Sequence, residues 1–401
     1  MKRRRVKITG IGPVTPAGIG VERFWDGLRQ GKSFIRKLNR QDTSETALVA
    51  AYISDFKAND YVSQSVFSKG AARHSEFAAA AAVLALRNAG TRSQELVNLP
   101  CAVIAGASLL DFGGIGRSFK SVFSKGYKAA QPRVVFTSTL TSIAETISAA
   151  CRLTARTIAV QSSCCAGLDA VGQAARMIES GEVNLAICGG TEAPLYPFPL
   201  FELQAAGLTP CNNESPQTIA RPFDLWRTTG VVSEGACFFV LESENSSRKP
   251  LAWISGYGFA NDVCDEICSG LTSSSLQAIS DANIRPEDVQ CISAWGPGHR
   301  LVDRGEYAAS EKVFGEKLTR IPACSIKGAI GSPLGAAPSI QLAAAILGLN
   351  SSLVLKTVNW STPDPECRFC LSRNNRFISH ENVLINAHGV GNVNSSLLIS
   401  K

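Results

Sequence analysis

Short apolar runs alternate with stretches of helical period along this chain, and the pattern restarts halfway. Val6 to Gly12 predicts a strand ending in a glycine-rich turn, Glu22 to Leu28 a helix, and Ser75 to Ala89 an alanine-rich buried helix. Cys101 to Ala105 reads as a strand, and Ser138 to Cys151 as a helix packed near the stretch that follows. There, Thr157 to Val160 predicts a buried strand and Ser162 to Gly167 a tight turn. Leu168, Val171, Ala175 and Ile178 then recur at helical spacing, so a helix leaves that turn. Val183 to Glu192 reads as a buried, parallel-type strand, Pro194 to Gln217 as loop with five prolines, and Gly235 to Glu242 as a strand.

A polar linker, Ser243 to Pro250, divides the chain into halves 1–250 and 251–401. The second half opens with a strand at Leu251 to Ser255 and a glycine turn, echoing the start of the first. A helix over Ser273 to Ala282, a strand over Val289 to Ala294 and a helix from Arg304 to Phe314 follow, and Lys327 to Ile346 is glycine-rich and then helical. The chain closes with strands at Val383 to Asn386 and Ser395 to Ile399, joined through His388-Gly-Val-Gly391. Strands alternating with helices in both halves predict an α/β architecture with mostly parallel sheets.

The turn at Ser162 to Gly167 carries the chemistry. It sets Cys164 at the first turn of a helix, where unpaired N–H groups and the positive end of the dipole favour a thiolate. A thiolate aimed into a cleft is a nucleophile for acyl transfer. The bland alternative is that Cys164 and Cys165 are two buried thiols.

Composition narrows the rest. The chain has 401 residues, 45% apolar and 18% charged, which is globular with ample core. Thirteen scattered cysteines, with no secretory signal evident, predict reduced thiols in a cytoplasmic protein. No apolar run approaches the length of a membrane span. The net charge of +7 is spread out, without aromatic interleaving; nucleic acid is a weak candidate, and an acidic protein partner would be attracted. The basic run Lys2 to Arg5 reads as a solvated edge. Gly10 and Gly12 lack the third glycine of a dinucleotide turn, and Cys367-Arg-Phe-Cys370 with Cys264 and Cys268 does not complete a zinc pattern. No metal or bound cofactor is expected.

Several stretches together resemble the β-ketoacyl-acyl-carrier-protein synthases of fatty-acid and polyketide synthesis, over nearly the full length. They are Thr9 to Gly18, the Cys164 turn, Cys188-Gly-Gly-Thr-Glu192, Arg221-Pro-Phe-Asp224, Ser233-Glu-Gly-Ala236, Ser325-Ile-Lys327 and Leu334-Gly-Ala-Ala337. The resemblance implies a thiolase-type fold, two similar α/β halves in a five-layered αβαβα sandwich, normally dimeric. It also implies an acyl carrier protein as partner, whose phosphopantetheine arm delivers the substrate.

That family uses one cysteine and two histidines, and the resemblance puts Cys164 at the nucleophile. The first histidine belongs to a His-Gly-Thr-x-Thr motif; this sequence has Trp295-Gly-Pro-Gly-His299, so the histidine is Trp295 and both threonines are gone. The second histidine position holds Ser332, and a glutamate after the Gly-Ala-Ala turn has become Gln341. Lys327, Asp303 and Glu306 stand where the family would put them. The Gly-Phe-Gly-Gly gating loop corresponds to Gly389, Val390, Gly391 and Asn392, with Val390 for the phenylalanine. The N–H groups of Cys164 and Val390 are the expected oxyanion donors.

An indole cannot accept a proton and a serine cannot replace an imidazole as acid and base. Decarboxylative condensation by this chain alone is therefore not expected. His299 and His388 read as polar loop residues rather than relocated catalysts, and His74 and His380 have no motif context. Two functions follow from the resemblance. One is a chain-length-factor-like subunit that pairs with an intact ketosynthase, although a homodimer is also open. The other is an acyltransferase or thioesterase that uses Cys164 without decarboxylation. A self-sufficient condensing enzyme is a third, less favoured reading.

Overall fold

The computed structural model describes residues 3–38, 48–67, 70–91, 93–96, 99–211, 214–263 and 266–401. Lys2 and Cys264 lie outside them.

The first half contributes β1 (Val6–Thr15), β2 (Cys101–Gly106), β3 (Arg156–Val160), β4 (Leu185–Glu192) and β5 (Gly235–Ser243), side by side in the order β3-β2-β4-β5-β1. The second half contributes β6 (Ala252–Asn261), β7 (Cys291–Ser293), β8 (Ala323–Cys324), β9 (Asn382–Gly389) and β10 (Val393–Ser400), in the order β8-β7-β9-β10-β6. The two orders are the same order. In each half the three strands at the far end pair parallel and the remaining pairs are antiparallel. The halves meet where β1 pairs with β6, Val6 opposite Ile254 and Ile8 opposite Ala252.

The sheets are thus mixed, where mostly parallel ones were expected. The reason is in the returns. β9 returns to β10 through a short hairpin, and β4 comes back antiparallel to β5 although α4 lies between them, so strands alternating with helices do not by themselves make the sheet parallel.

Period-two alternation decides which side chains meet. On β5, Cys237, Phe239 and Leu241 enter a central core, while Ala236, Phe238 and Val240 face α1 (Arg73–Asn88) and α2 (Thr141–Cys151). On β9, Val383, Ile385 and Ala387 enter the same central core and Leu384 turns to the opposite outer layer. That outer layer is built on α5 (Ser269–Asp281) and α6 (Arg300–Phe314). The central layer is α3 (Ala166–Glu179) beside α7 (Ala337–Ser351), following α4 (Pro197–Ala205) in the chain only for the second of these. Helix, sheet, helix, sheet, helix: the five expected layers are present.

α3 buries Leu168, Val171 and Ile178 completely, each stabilising the fold by about 1.5–3 kcal/mol relative to exposure. The stretch Leu334–Ser351, including α7, has the length and mean hydropathy (1.2) of a membrane span, contrary to expectation. It is 72% buried between the two sheets, as the middle of a five-layer fold requires.

Several local expectations change. β1 runs through Pro13 to Thr15 and β6 through Gly256 and Gly258 to Asn261, so neither glycine cluster is a turn. A Cβ on Gly256 would stand 2.0 Å from the Ala278 carbonyl oxygen, so this glycine lets α5 lie against the sheet. The proline-rich Pro194 to Gln217 contains α4, whose Pro197 and Pro199 fall in the first turn, where a missing N–H costs nothing. α2 packs with α1 in an outer layer, across the sheet from α3, and not beside the cysteine turn. β3 is a sheet edge exposed at Arg156 and Thr157, not a buried strand. His388 belongs to β9, not to the connection that follows it.

Candidate functional site

β3 delivers the chain into the turn that precedes α3. Ser163 sits there at φ 51°, in the left-handed region that a residue with a side chain adopts only when its surroundings hold it. Below the turn, buried Asp169 accepts hydrogen bonds from the Ser162 hydroxyl, the Ser395 hydroxyl and the Tyr257 hydroxyl, the last at 2.7 Å. Those partners come from the turn itself, β10 and β6. One carboxylate therefore ties the cysteine turn to the second half of the molecule. Cys165 is the N-cap of α3 and its thiol reaches the Val393 carbonyl at 3.4 Å.

Cys164 stands one residue before that cap, 8% exposed, on the wall of a cavity of about 500 Å³. Leu109, Leu203, Val232, Val302, Leu334 and Val390 give the cavity an apolar wall. The Val390 N–H approaches the Cys164 sulfur, and a Cβ on Gly389 would come 2.9 Å from the Cys164 amide nitrogen. Only glycine lets this strand end lie so close to the cysteine.

The expected thiolate is not what the site favours at rest. Burial pushes the Cys164 thiol above its ordinary value, and the nearby Glu192 carboxylate adds to the rise. The Val390 N–H, the Ser163 hydroxyl and Lys327 pull the other way without overcoming burial. A helix N-terminus stabilises a thiolate by a local dipole, and desolvation here outweighs it.

Trp295 and Ser332 both line the cavity with Cys164, so the sequence positions meet in space. The indole is 3% exposed and lies under Lys327, whose ammonium stands 3.4 Å from the ring centroid. Lys327 also donates to the Trp295 carbonyl and, at 2.8 Å, to the Gln341 side-chain oxygen. Gln341 spends its amide N–H groups on the carbonyls of Ser293, Ala294 and Asn386.

Glu306 and Asp303 turn out to hold backbone. Glu306 accepts the N–H of Trp295 at 2.7 Å and of Gly296 at 2.8 Å. Asp303 accepts the N–H of Phe223 at 2.7 Å and of Gly298 at 3.0 Å, with the Arg227 guanidinium 3.6 Å away. Burial raises the Glu306 carboxyl and lowers the Lys327 ammonium, each opposed by attraction to the other. Burial also raises Asp303 to about 7, against its two backbone donors and Arg227.

Among the residues the sequence did not single out, Glu192 accepts the N–H groups of Ser108, Leu109 and Gly335 and is raised by burial to about 7. His388 and His299 both reach the cavity. The glycines after His388 suggest a loop; the contrary signal is the strand alternation from Val383, which continues through His388 opposite Asn394. His74 is buried elsewhere, lowered by burial to about 4. His380 hydrogen-bonds the Ile378 carbonyl. Among the described residues no group of three or more His, Cys, Asp or Glu side chains converges as a metal site.

This arrangement matches known proteins along the whole chain. Residues 3–247 match the beta-ketoacyl synthase N-terminal domain and residues 252–361 the C-terminal domain. The chain belongs to the beta-ketoacyl synthase family. It is 32% identical over 386 residues to a putative polyketide beta-ketoacyl synthase 1 of Streptomyces virginiae, covering 92% of this chain and 90% of that protein. It is 28% identical to the 3-oxoacyl-[acyl-carrier-protein] synthase 2 of Coxiella burnetii, covering 100% of this chain and 99% of the other. The ishigamide ketosynthase/chain length factor superposes with a TM-score of 0.93 at 26% identity, over 100% of this chain and 99% of that one. A type II polyketide acyl-carrier protein in complex with its ketosynthase bound to the hexaketide matches at 0.90 and 25% identity, over 99% of each chain. The fold is the thiolase type shared by these ketosynthases.

Proposed function

We propose that this chain is a ketosynthase-like subunit of type II polyketide or fatty-acid biosynthesis that does not condense by itself. It pairs with a competent β-ketoacyl-acyl-carrier-protein synthase and shapes the acyl tunnel, as a chain-length factor does. One observation carries the reading: Trp295 and Ser332, which the sequence resemblance sets at the positions of the family's two histidines, line the same cavity as Cys164. An indole N–H donates but takes no proton, and its ring fills volume that a malonyl group would need. The 500 Å³ apolar cavity is of the size that holds a small acyl chain.

Pairing is supported by the edge of β3, which pairs with no further strand among the described residues, and by exposed Phe119, Phe123, Tyr127, Val135 and Phe136 on the helices between β2 and β3. One relative is a ketosynthase/chain length factor and another is a ketosynthase with its acyl-carrier protein. We read an acyl carrier protein as the carrier here, its phosphopantetheine arm entering the cavity, with no bound cofactor. We place the protein in the cytoplasm, and read the chain as halves 1–250 and 251–401.

A second reading has its own observation. Cys164 is retained on the cavity wall with a backbone donor at its sulfur, which is what acyl transfer without decarboxylation requires. Intact-protein mass spectrometry after incubation with acyl-loaded carrier proteins tests both, with and without a ketosynthase partner and with Cys164→Ala as control. An adduct only on the partner supports the tunnel-shaping subunit. An adduct on this chain alone, lost in Cys164→Ala, supports the acyltransferase.

A further inference from the structure

His388 is the cavity residue that the family comparison leaves without a role. It lies at the end of β9, two residues before Val390, and borders the same cavity as Cys164. Its ring is held from behind. The Nδ1 atom is 2.9 Å from the Asn394 side-chain oxygen, directly across the β9–β10 hairpin. The Asn394 amide nitrogen in turn donates to the Asp262 carboxylate at 2.7 Å, and a second Asp262 oxygen stands 3.9 Å from His388 Nδ1. Asp262 is itself fixed by the N–H groups of Cys268 and Gly270, at 3.0 and 2.8 Å.

This chain of bonds determines the tautomer. A carboxylate accepts only, so the Asn394 amide must turn its NH2 to Asp262 and its oxygen to His388. Nδ1 therefore carries the hydrogen, and Nε2 is the ring's proton acceptor. A cysteine, an imidazole and an amide backed by a carboxylate are the parts of an activated thiol nucleophile.

We propose that His388, oriented by Asn394 and Asp262, takes the thiol proton of Cys164 during acyl transfer. The proposal rests on the second reading above, in which Cys164 accepts an acyl group. As the sulfur attacks the carrier thioester carbonyl, the S–H proton passes to His388 Nε2. The carbon–sulfur bond to the pantetheine then breaks, and the imidazolium returns that proton to the departing thiolate. The Val390 N–H, already at the sulfur, is placed to donate to the developing oxyanion. A thiol that burial keeps protonated needs such a base, whereas a preformed thiolate would not. The other charged and titratable groups around this pair are Asp262 behind the histidine, Glu192, Lys327 and Cys165 about the cysteine, and His299 in the lining of the same cavity.

The test is the rate of Cys164 carboxamidomethylation by iodoacetamide, read at peptide level against pH, in the full chain and in His388→Gln, His388→Phe and Asn394→Ala. Glutamine keeps a partner for Asn394 but takes no proton. Wild type should exceed both His388 variants by about tenfold near pH 7, the gap closing only at alkaline pH above the ordinary cysteine range, where the buried thiol ionises unaided. Asn394→Ala should fall between, and added imidazole should restore part of the rate in His388→Gly. A rate and pH profile unchanged in both His388→Gln and His388→Phe overturns the proposal, provided their thermal melts match wild type. A His388-dependent alkylation profile on a chain that takes no acyl group from carrier thioesters overturns the acyl-transfer reading instead.

Discussion

The two halves repeat one strand order, and at equivalent ends of the molecule they do different things with it. On the first half's side, the cysteine turn is open: Ser163 is held in the left-handed region, and Cys164 faces the cavity. On the second half's side, the Trp295–His299 loop is closed: an indole fills the wall, and two buried carboxylates clamp the backbone behind it. The difference shows what kind of constraint each residue answers to. Glu306 and Asp303 accept backbone N–H groups, a task independent of which side chain stands at 295. Their presence is therefore evidence about the loop, not about catalysis by it.

The largest effect should come from breaking that clamp. Glu306→Ala leaves two buried N–H groups without an acceptor and Lys327 without the carboxylate that most favours its charge. We expect a loss of about 3–5 kcal/mol in urea unfolding. Glu306→Gln, which can still accept one of the two, should lose less. Equal losses would mean that the charge, not the hydrogen bonding, is what the loop needs.

The cysteine side breaks by crowding. Gly389→Ala puts a methyl 2.9 Å from the Cys164 amide nitrogen, and 3.1 Å from the Ser163 Cβ. One strand end or the turn must move. We expect about 1–3 kcal/mol of destabilisation and a marked loss of Cys164 alkylation, the two effects appearing together. Full alkylation in this variant would show that the thiol does not depend on its contact with β9.

A pH comparison sharpens the contrast between acids held open and acids held closed. Glu192, beside the cysteine, keeps its proton to about 7 in the fold against its ordinary 4.5. A raised folded value means stability complete below about 4.5 and lost as pH rises through 7. Glu192→Gln removes that slope. Unfolding free energies from urea titrations at pH 5 and pH 8 should differ by about 2 kcal/mol less in the variant than in wild type. A steeper dependence in the variant would reverse the sign.

How much of this was visible in the residues varies with the scale of the force involved. Helices at Ser75 and Leu168 and the strands at Cys101, Val183 and Gly235 were legible because their periodicity reports burial directly. The duplicated strand order was only faintly legible, since hydrogen-bond pairing between distant strands leaves no local trace. Motif spacing names Cys164, Trp295, Ser332, Lys327 and Gln341; in the fold the first three line one cavity, and Lys327 lies on the indole and donates to Gln341. The roles of Glu306 and Asp303 were not, because a side chain serving backbone N–H groups 10 or 80 positions away looks the same in sequence as one serving a substrate. His388 escaped for a related reason: its glycine neighbours suggested a turn, whereas Gly389 serves close approach to Cys164. The thiolate expectation failed on desolvation, a property of the whole surround.

The smallest expected effect is the most telling one. Trp295→His with Ser332→His restores both imidazoles yet should release no measurable carbon dioxide from a malonyl carrier protein. Gln341 still gives Lys327 a neutral oxygen where the family has a carboxylate, so the charge behind the site is unchanged. Pro297 and His299 still replace the threonines expected to seat the pantetheine arm. Imidazoles without a seated substrate have no proton to move. Decarboxylation by this double variant would mean that the second half lost only two side chains and kept the rest of its machinery. Its absence would mean that the closed end was rebuilt around the indole, and that the open end is where the chemistry of this chain resides.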